Sequence, residues 1–219
     1  MPKEKLSRTK VHTRYKLQSG QQVPGVTTVL GILAKPALIH WAWDLGTQGI
    51  DYKKYRDATA DIGTLAHYLI ACDLEDKAPD TTAFSTEQID RAENALISYY
   101  EWRKGRTIEP ILIEAPLVSE MYEYGGTIDC LAKVDGVLTL IDIKTSKAIY
   151  DEMISQLAAY RQLLVEHGHT PQNVRILRVG RDESEGFEER VVADLTRQWE
   201  VFWHCLQLYN IQKQIRKVG

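Results

Sequence analysis

GGTIDCLAKVDGVLTLIDIKTSK, residues 125–147, reads as a β-hairpin. Asp135-Gly136 is a two-residue turn signal, because a type I′ turn asks for positive φ at both central positions. Closed there, Val134 pairs with Val137, and counting back along both strands sets Asp129 opposite Asp142. Side chains alternate at period two, which puts Lys144 on the face of Asp142. Like charges across a strand pair are destabilising, so two carboxylates held there argue for a divalent cation between them. Leu131, Leu138 and Leu140 share the face of the acids, while Ile128, Cys130, Val134, Val137, Ile141 and Ile143 fill the other. Apolar side chains on both faces predict a central hairpin covered on both sides. A longer, bulged loop would shift the register by one residue, so the turn type is the premise of the reading.

Working outward, residues 11–18 (VHTRYKLQ) alternate as a short strand that reaches a turn at Ser19-Gly20. A helical region begins between Thr27 and Leu33 and breaks near Pro36, a residue suited to the first position of the next helix. Helices are predicted over 36–45 and 51–76, and Ser85-x-x-Gln88 forms a capping box opening a long helix to about Lys104. The period then changes to strand over 108–118, followed by the two hairpin strands. Residues 148–167 make an amphipathic helix ended by Gly168 and Pro171. Strands at 173–180 and 186–193 precede a C-terminal helix over 196–217. The order predicts an α/β sandwich with a central mixed β-sheet flanked by helices and an N-terminal helical region. Three stretches follow: a basic arm and short strand over 1–22, a helical region over 23–106, and the sheet-bearing core over 107–219, all in one compact domain.

The 219 residues suffice for one sizeable core, and 44% hydrophobic with 26% charged content is ordinary for a globular chain. No apolar run approaches the roughly 18 residues of a membrane span, and no signal peptide is visible. Cys72, Cys130 and Cys205 lie far apart without a CxxC, which argues for a reducing compartment and against a disulfide framework or zinc ribbon. The net charge of −3 speaks against a general polyanion binder. Its distribution does not: Lys3, Lys5, Arg8, Lys10, Arg14 and Lys16 crowd the first sixteen residues against Glu4 alone. That arm reads as a solvated tail or as a phosphate-contacting segment, with a transit peptide a weaker third reading. Acid gathers instead at 73–80 and 182–189.

A carboxylate pair holding Mg²⁺ leaves coordination positions for water and phosphate oxygens. Lys144, one strand step beyond Asp142, is placed to meet charge developing on phosphorus or to help deprotonate a water. These are the parts of metal-assisted phosphodiester hydrolysis; the bland alternative is a charged pair ending a strand. On the following helix, Gln156 and Tyr160 stand i,i+4 on one side, either supporting the site or, for Tyr160, packing in the core. Glu114, in the preceding strand, reads as a surface acid, with a second-metal role as the alternative.

GGTID at 125–129, DIKTS at 142–146 and QLAAY at 156–160 resemble the successive motifs of the PD-(D/E)XK nuclease superfamily, in its RecB-like exonuclease branch. GTLAH at 63–67 resembles the upstream GTxxH motif of that branch, and the four stand in the family order across about half the chain. The resemblance implies a restriction-endonuclease-like core. It also implies Asp129, Asp142, the Ile143 carbonyl and His67 as ligands of Mg²⁺ or Mn²⁺. Lys144 would be the catalytic lysine, with Gln156 and Tyr160 as the supporting motif; judged alone, His67 reads as a buried structural histidine. VPGVTTVLGILAKPALIHWAW at 23–43 resembles the PSVTxIL-type segment of phage-encoded members and of the mitochondrial genome-maintenance exonuclease, with Gly25 where serine is usual. Its residues His40, Trp41 and Trp43 read as a base-stacking platform or, in the plainer reading, as core packing. Four cysteines, as in iron–sulfur members, are absent.

The implied activity is a metal-dependent DNA exonuclease on single-stranded DNA or single-stranded ends. Alternatives are a duplex end-resecting exonuclease, a structure-selective endonuclease, or a DNA-binding or assembly protein that does not cleave. Implied partners are DNA and replication or recombination proteins, in a bacterial or phage-infected cytoplasm ahead of a mitochondrial matrix. No GxxxxGK[ST] loop is present, so ATP is not expected to drive the reaction.

Overall fold

A computed structural model of the protein describes residues 13–218. The first four lysines and arginines of the basic arm (Lys3, Lys5, Arg8 and Lys10) lie outside the described residues; Arg14 and Lys16 are exposed.

The hairpin closes as its turn chemistry predicts. Asp135 and Gly136 have φ of 51° and 82°, and β4 (Tyr124–Val134) meets β5 (Val137–Lys144) with Val134 opposite Val137. Asp135 also receives the Thr107 N–H at 2.8 Å, fixing the turn to the start of β3 (Ile108–Ser119). With β6 (Asn173–Val179) and β7 (Phe187–Val191) the strands form one sheet in the order β3-β4-β5-β6-β7. The β5/β6 pair is parallel and the others antiparallel, so the sheet is mixed.

Helices cover both faces. On one side α1 (Val26–Leu30), α5 (Asp151–Glu166) and α6 (Thr196–Val218) bury Val29, Leu157, Leu163, Phe202 and Leu206 against Leu131, Leu140 and Ile176. On the other, α3 (Tyr52–Leu74) and α4 (Thr86–Arg103) pack Leu65, Ile70, Ala92 and Tyr99 onto Cys130, Ala132, Ile143 and Leu177. The α4 start is the expected reciprocal box: the Gln88 N–H donates to Ser85 Oγ at 3.3 Å and the Ser85 N–H to Gln88 Oε1 at 3.0 Å. The three cysteines are free and buried. No helix among the described residues is long and apolar enough to cross a membrane.

Three expectations are corrected. Of the strand expected over 11–18, residues 11 and 12 lie outside the described residues, and within 13–18 it is confined to β1 (Tyr15–Lys16), paired with β2 (Gln22–Val23) across a turn. Ile128 does not share the face of Cys130: it packs with Leu131 and Leu140 on the α5 side, while Cys130 faces α3 and α4. The cause lies in β3, which carries a bulge between Pro110 and Leu112 and then a left-handed residue, Glu114, at φ 45°. The register on either side sets Glu114 opposite Asp129, so the pleat is broken where the two acids meet. Finally, the tryptophans of α2 (Pro36–Thr47) are not core residues in common. Trp41 is half-buried, edge-on to Tyr52 and Tyr55, whereas Trp43 is 68% exposed.

Candidate metal centre

The β4/β5 ladder runs only as far as Cys130 opposite Ile141. One step further, where continued counting would set the expected pair Asp129 opposite Asp142, the ladder has ended and the two are not register partners. The Ile143 N–H then donates to Asp129 Oδ2 at 2.7 Å rather than to a backbone carbonyl. This contact fixes the Asp129 carboxylate beside the backbone of the Asp142 strand.

The sheet brings His67, Glu114 and Asp129 together, with one ligand atom from each lying within 4.8 Å of the others. His67 Nδ1 is 3.5 Å from Asp129 Oδ1 and 3.9 Å from Glu114 Oε1. Glu114, expected as a surface acid or a second-metal ligand, keeps a 47% exposed side chain and lies beside the histidine. A left-handed residue with a side chain is costly and persists where its surroundings hold it; here the kink turns Glu114 toward the histidine.

Asp142 lies outside that trio, at 1% exposure, with the Lys144 ammonium 2.7 Å from its Oδ2. Oδ2 has that ammonium as its one partner, and Oδ1 accepts no hydrogen bond from any described residue. A buried carboxylate with so few donors is expensive. Burial, joined by the Asp129 charge, accordingly raises its pKa to about 6 against the pull of Lys144. Asp129 goes the other way: burial would raise it, but the charge and hydrogen bond of His67, the Lys144 charge and the Ile143 N–H hold it below the usual carboxylate range. For His67, burial works downward, and Asp129 and Glu114 reverse this to lift it to about 9. Lys144 is likewise raised, its burial outweighed by Asp142 and Asp129.

These groups fit a divalent cation. Carboxylate oxygens with one imidazole make a donor set for a divalent ion, and Asp142 Oδ1, without a donor among the described residues, is an acceptor such a site can use. Charge agrees: two cationic groups, His67 and Lys144, face three carboxylates. A neutral imidazole plus a divalent ion brings the cluster to balance.

The supporting motif lies on α5. Gln156 Nε2 donates to Tyr160 Oη at 2.6 Å, and burial together with the charges of Asp142 and Asp129 raises the Tyr160 hydroxyl well above its ordinary value. Two close approaches bind the motifs to one another. A β-carbon on Gly126 would fall 2.6 Å from the Tyr160 ring, and one on Gly63 would fall 2.7 Å from Thr145 Oγ1. Sequence reading left Glu114 between a surface acid and a second-metal ligand, because its approach to His67 depended on an unseen bulge. It missed Thr145 and Tyr15, whose only signal is a glycine with no spare room elsewhere in the chain.

The model of the PD-(D/E)XK nuclease superfamily matches residues 37–210, and this chain belongs to that superfamily. No curated protein matches it. Among solved structures it is similar to a protein of Eubacterium rectale assigned provisionally as an exonuclease, with 9% identity and a TM-score of 0.45 over 71% of this chain. That alignment spans 66% of the other chain, just under two thirds. It is also similar to an alkaline exonuclease from Laribacter hongkongensis, with 13% identity and a TM-score of 0.33, covering 73% of this chain and 88% of that one.

Proposed function

We propose that the chain is a divalent-metal-dependent DNA exonuclease acting on single-stranded DNA or single-stranded ends. The observation that carries the reading is Asp142: a fully buried carboxylate with Oδ2 paired only to the Lys144 ammonium and Oδ1 without a donor among the described residues, next to the His67–Glu114–Asp129 cluster. Asp129, Asp142, His67 and the Ile143 carbonyl would hold Mg²⁺ or Mn²⁺, with Glu114 at the open side. A divalent ion there supplies Lewis-acid polarisation of a phosphoryl oxygen and acidifies the attacking water.

The remaining roles belong to side chains. Lys144, kept protonated by Asp142 and Asp129, meets the negative charge that builds on the phosphoryl oxygens, as preorganised cations do. Tyr160 keeps its proton and, tied to Gln156, closes the α5 side of the site. The Ile143 N–H restrains Asp129 so that its other oxygen faces His67.

Preference for single strands is supported by α2. Lys35, just before this helix, pairs with Glu152 on α5 at 3.0 Å, and Trp41 leans on α3. The segment therefore bridges the two helical layers, presenting Leu38, Ile39 and Trp43 to solvent. An exposed aromatic ring such as Trp43 is a stacking surface for unpaired bases. The test is digestion of end-labelled linear and circular DNA, single-stranded and duplex, with Mg²⁺, Mn²⁺ or EDTA. Release of mononucleotides or short products from linear single strands, with circles intact, is expected; cutting of circles would replace exonuclease with endonuclease.

A further inference from the structure

Beyond the hairpin, β4 continues through Gly125, Gly126 and Thr127 without a β5 partner. The chain before α1 takes the vacant edge: the Gly125 N–H donates to the Pro24 carbonyl at 2.9 Å, and Gly25 bridges Gly125 in parallel. Over this junction lies Tyr15 of β1. A β-carbon on Gly125 would fall 2.3 Å from the Tyr15 ring and one on Gly25 3.0 Å from it, so the ring rests directly on two backbones. A serine in place of Gly25 would crowd that ring. Pinned in this way, the ring presents its hydroxyl to Thr127, 2.9 Å from Thr127 Oγ1.

Thr127 stands two residues before Asp129 on the strand, with Gly126 and Ile128 turned toward α5. Two residues of strand span about 6.6 Å, a step comparable with one nucleotide of an extended backbone. Both Tyr15 and Thr127 are only half-buried. Between two hydroxyls, one proton serves their mutual bond and the other is left to donate. Neither group has another hydrogen-bond partner among the described residues. The proton left over from that pair can donate to an acceptor-only group such as a phosphate oxygen.

We propose that Tyr15 and Thr127 form the subsite for the phosphate adjacent to the scissile one, donating a hydrogen bond to its non-bridging oxygen. This rests on the nuclease reading above and adds to it a substrate contact that sets which phosphate stands over Asp129. The two hydroxyls act in binding, so their loss is read in KM more than in kcat.

The experiment uses single-stranded oligonucleotides in which one uncharged methylphosphonate linkage is moved stepwise through the strand. The full chain is compared with Tyr15→Phe, Thr127→Val and Thr127→Ser, each first checked for an unchanged thermal midpoint. Wild type should lose roughly tenfold or more in kcat/KM when the linkage next to the cut is neutral, the scale of one hydrogen bond to a charged group. Tyr15→Phe and Thr127→Val should lose a similar factor on the all-phosphate strand, mainly in KM, and lose little more at that one linkage. Thr127→Ser should behave as wild type. Fully additive losses at every linkage, or a Tyr15→Phe indistinguishable from wild type, would overturn the subsite while leaving the nuclease reading intact. Failure of wild type to cut the all-phosphate strand would instead remove the nuclease reading and the subsite with it.

Discussion

Gly63 of α3 and Thr145, the residue after β5, are in such close contact that a β-carbon on the glycine would lie 2.7 Å from Thr145 Oγ1. Four residues along the same helix stands His67, and one residue before Thr145 stands Lys144. The contact therefore sets the distance between the helix that carries the histidine and the strand that carries the lysine. Gly63→Ala gains up to about 1 kcal/mol of helix propensity but forces a gap costing about 1–3 kcal/mol. Activity should fall while stability changes little or drops slightly. Thr145→Ala removes the obstruction, and the double variant should regain most of the lost turnover in a double-mutant cycle.

In the proposed ligand set, His67 would link metal binding to pH. Its pKa in the metal-free fold is raised from 6.5 to about 9, and a histidine must be neutral to ligate. Apparent affinity for Mn²⁺ should strengthen by up to about tenfold per pH unit below pH 9 and level off above it. Titration of Mn²⁺ by electron paramagnetic resonance from pH 6.5 to 9 measures this, and His67→Gln should flatten the slope. In the metal-free chain the same shift gives stability that is fully present below about pH 6.5 and is lost as pH rises through about 9.

Asp142 separates function from stability. Its pKa is raised to about 6 by burial and by Asp129, so near neutral pH its charge burdens the metal-free fold. Asp142→Asn should raise the thermal midpoint in EDTA at pH 8, an effect that disappears below about pH 4, where the wild-type carboxyl is protonated in both states. The same variant should lose more than about a hundredfold in turnover, beyond the usual cost of disturbing a ligand's supporting contacts.

Lys144→Met should keep Mn²⁺ binding and lose about 10²–10³ in kcat, the scale of removing one group that stabilises transition-state charge. Direct Mn²⁺ titration alongside steady-state kinetics distinguishes this from loss of the ion.

Trp43, at 68% exposure, contributes little to the fold. Trp43→Ala should leave the thermal midpoint in place and weaken single-stranded oligonucleotide binding by about 1–3 kcal/mol. Trp41→Ala, which strips a ring from Tyr52 and Tyr55, should instead destabilise the chain.

The hairpin was legible because Asp135-Gly136 leaves the chain one short turn, and the register then follows by counting. The α4 start was legible for a similar reason: Ser85 and Gln88 act on each other at fixed spacing. Alternation misplaced Ile128 because a left-handed Glu114 on the neighbouring strand breaks the pleat, and no period in the sequence marks such a residue. The same kink hid the approach of Glu114 to His67. Tyr15 escaped notice because a two-residue strand has no periodicity to read, and its meaning depends on Gly125, more than a hundred residues away.

The most direct test of the account is release of an end label from linear single-stranded DNA by wild type and Asp142→Ala, each with Mg²⁺ and with EDTA. Release by wild type with Mg²⁺, and by neither protein in the other conditions, is the predicted result. Equal release by Asp142→Ala, or undiminished release by wild type in EDTA, would contradict a metal centre built on this buried carboxylate.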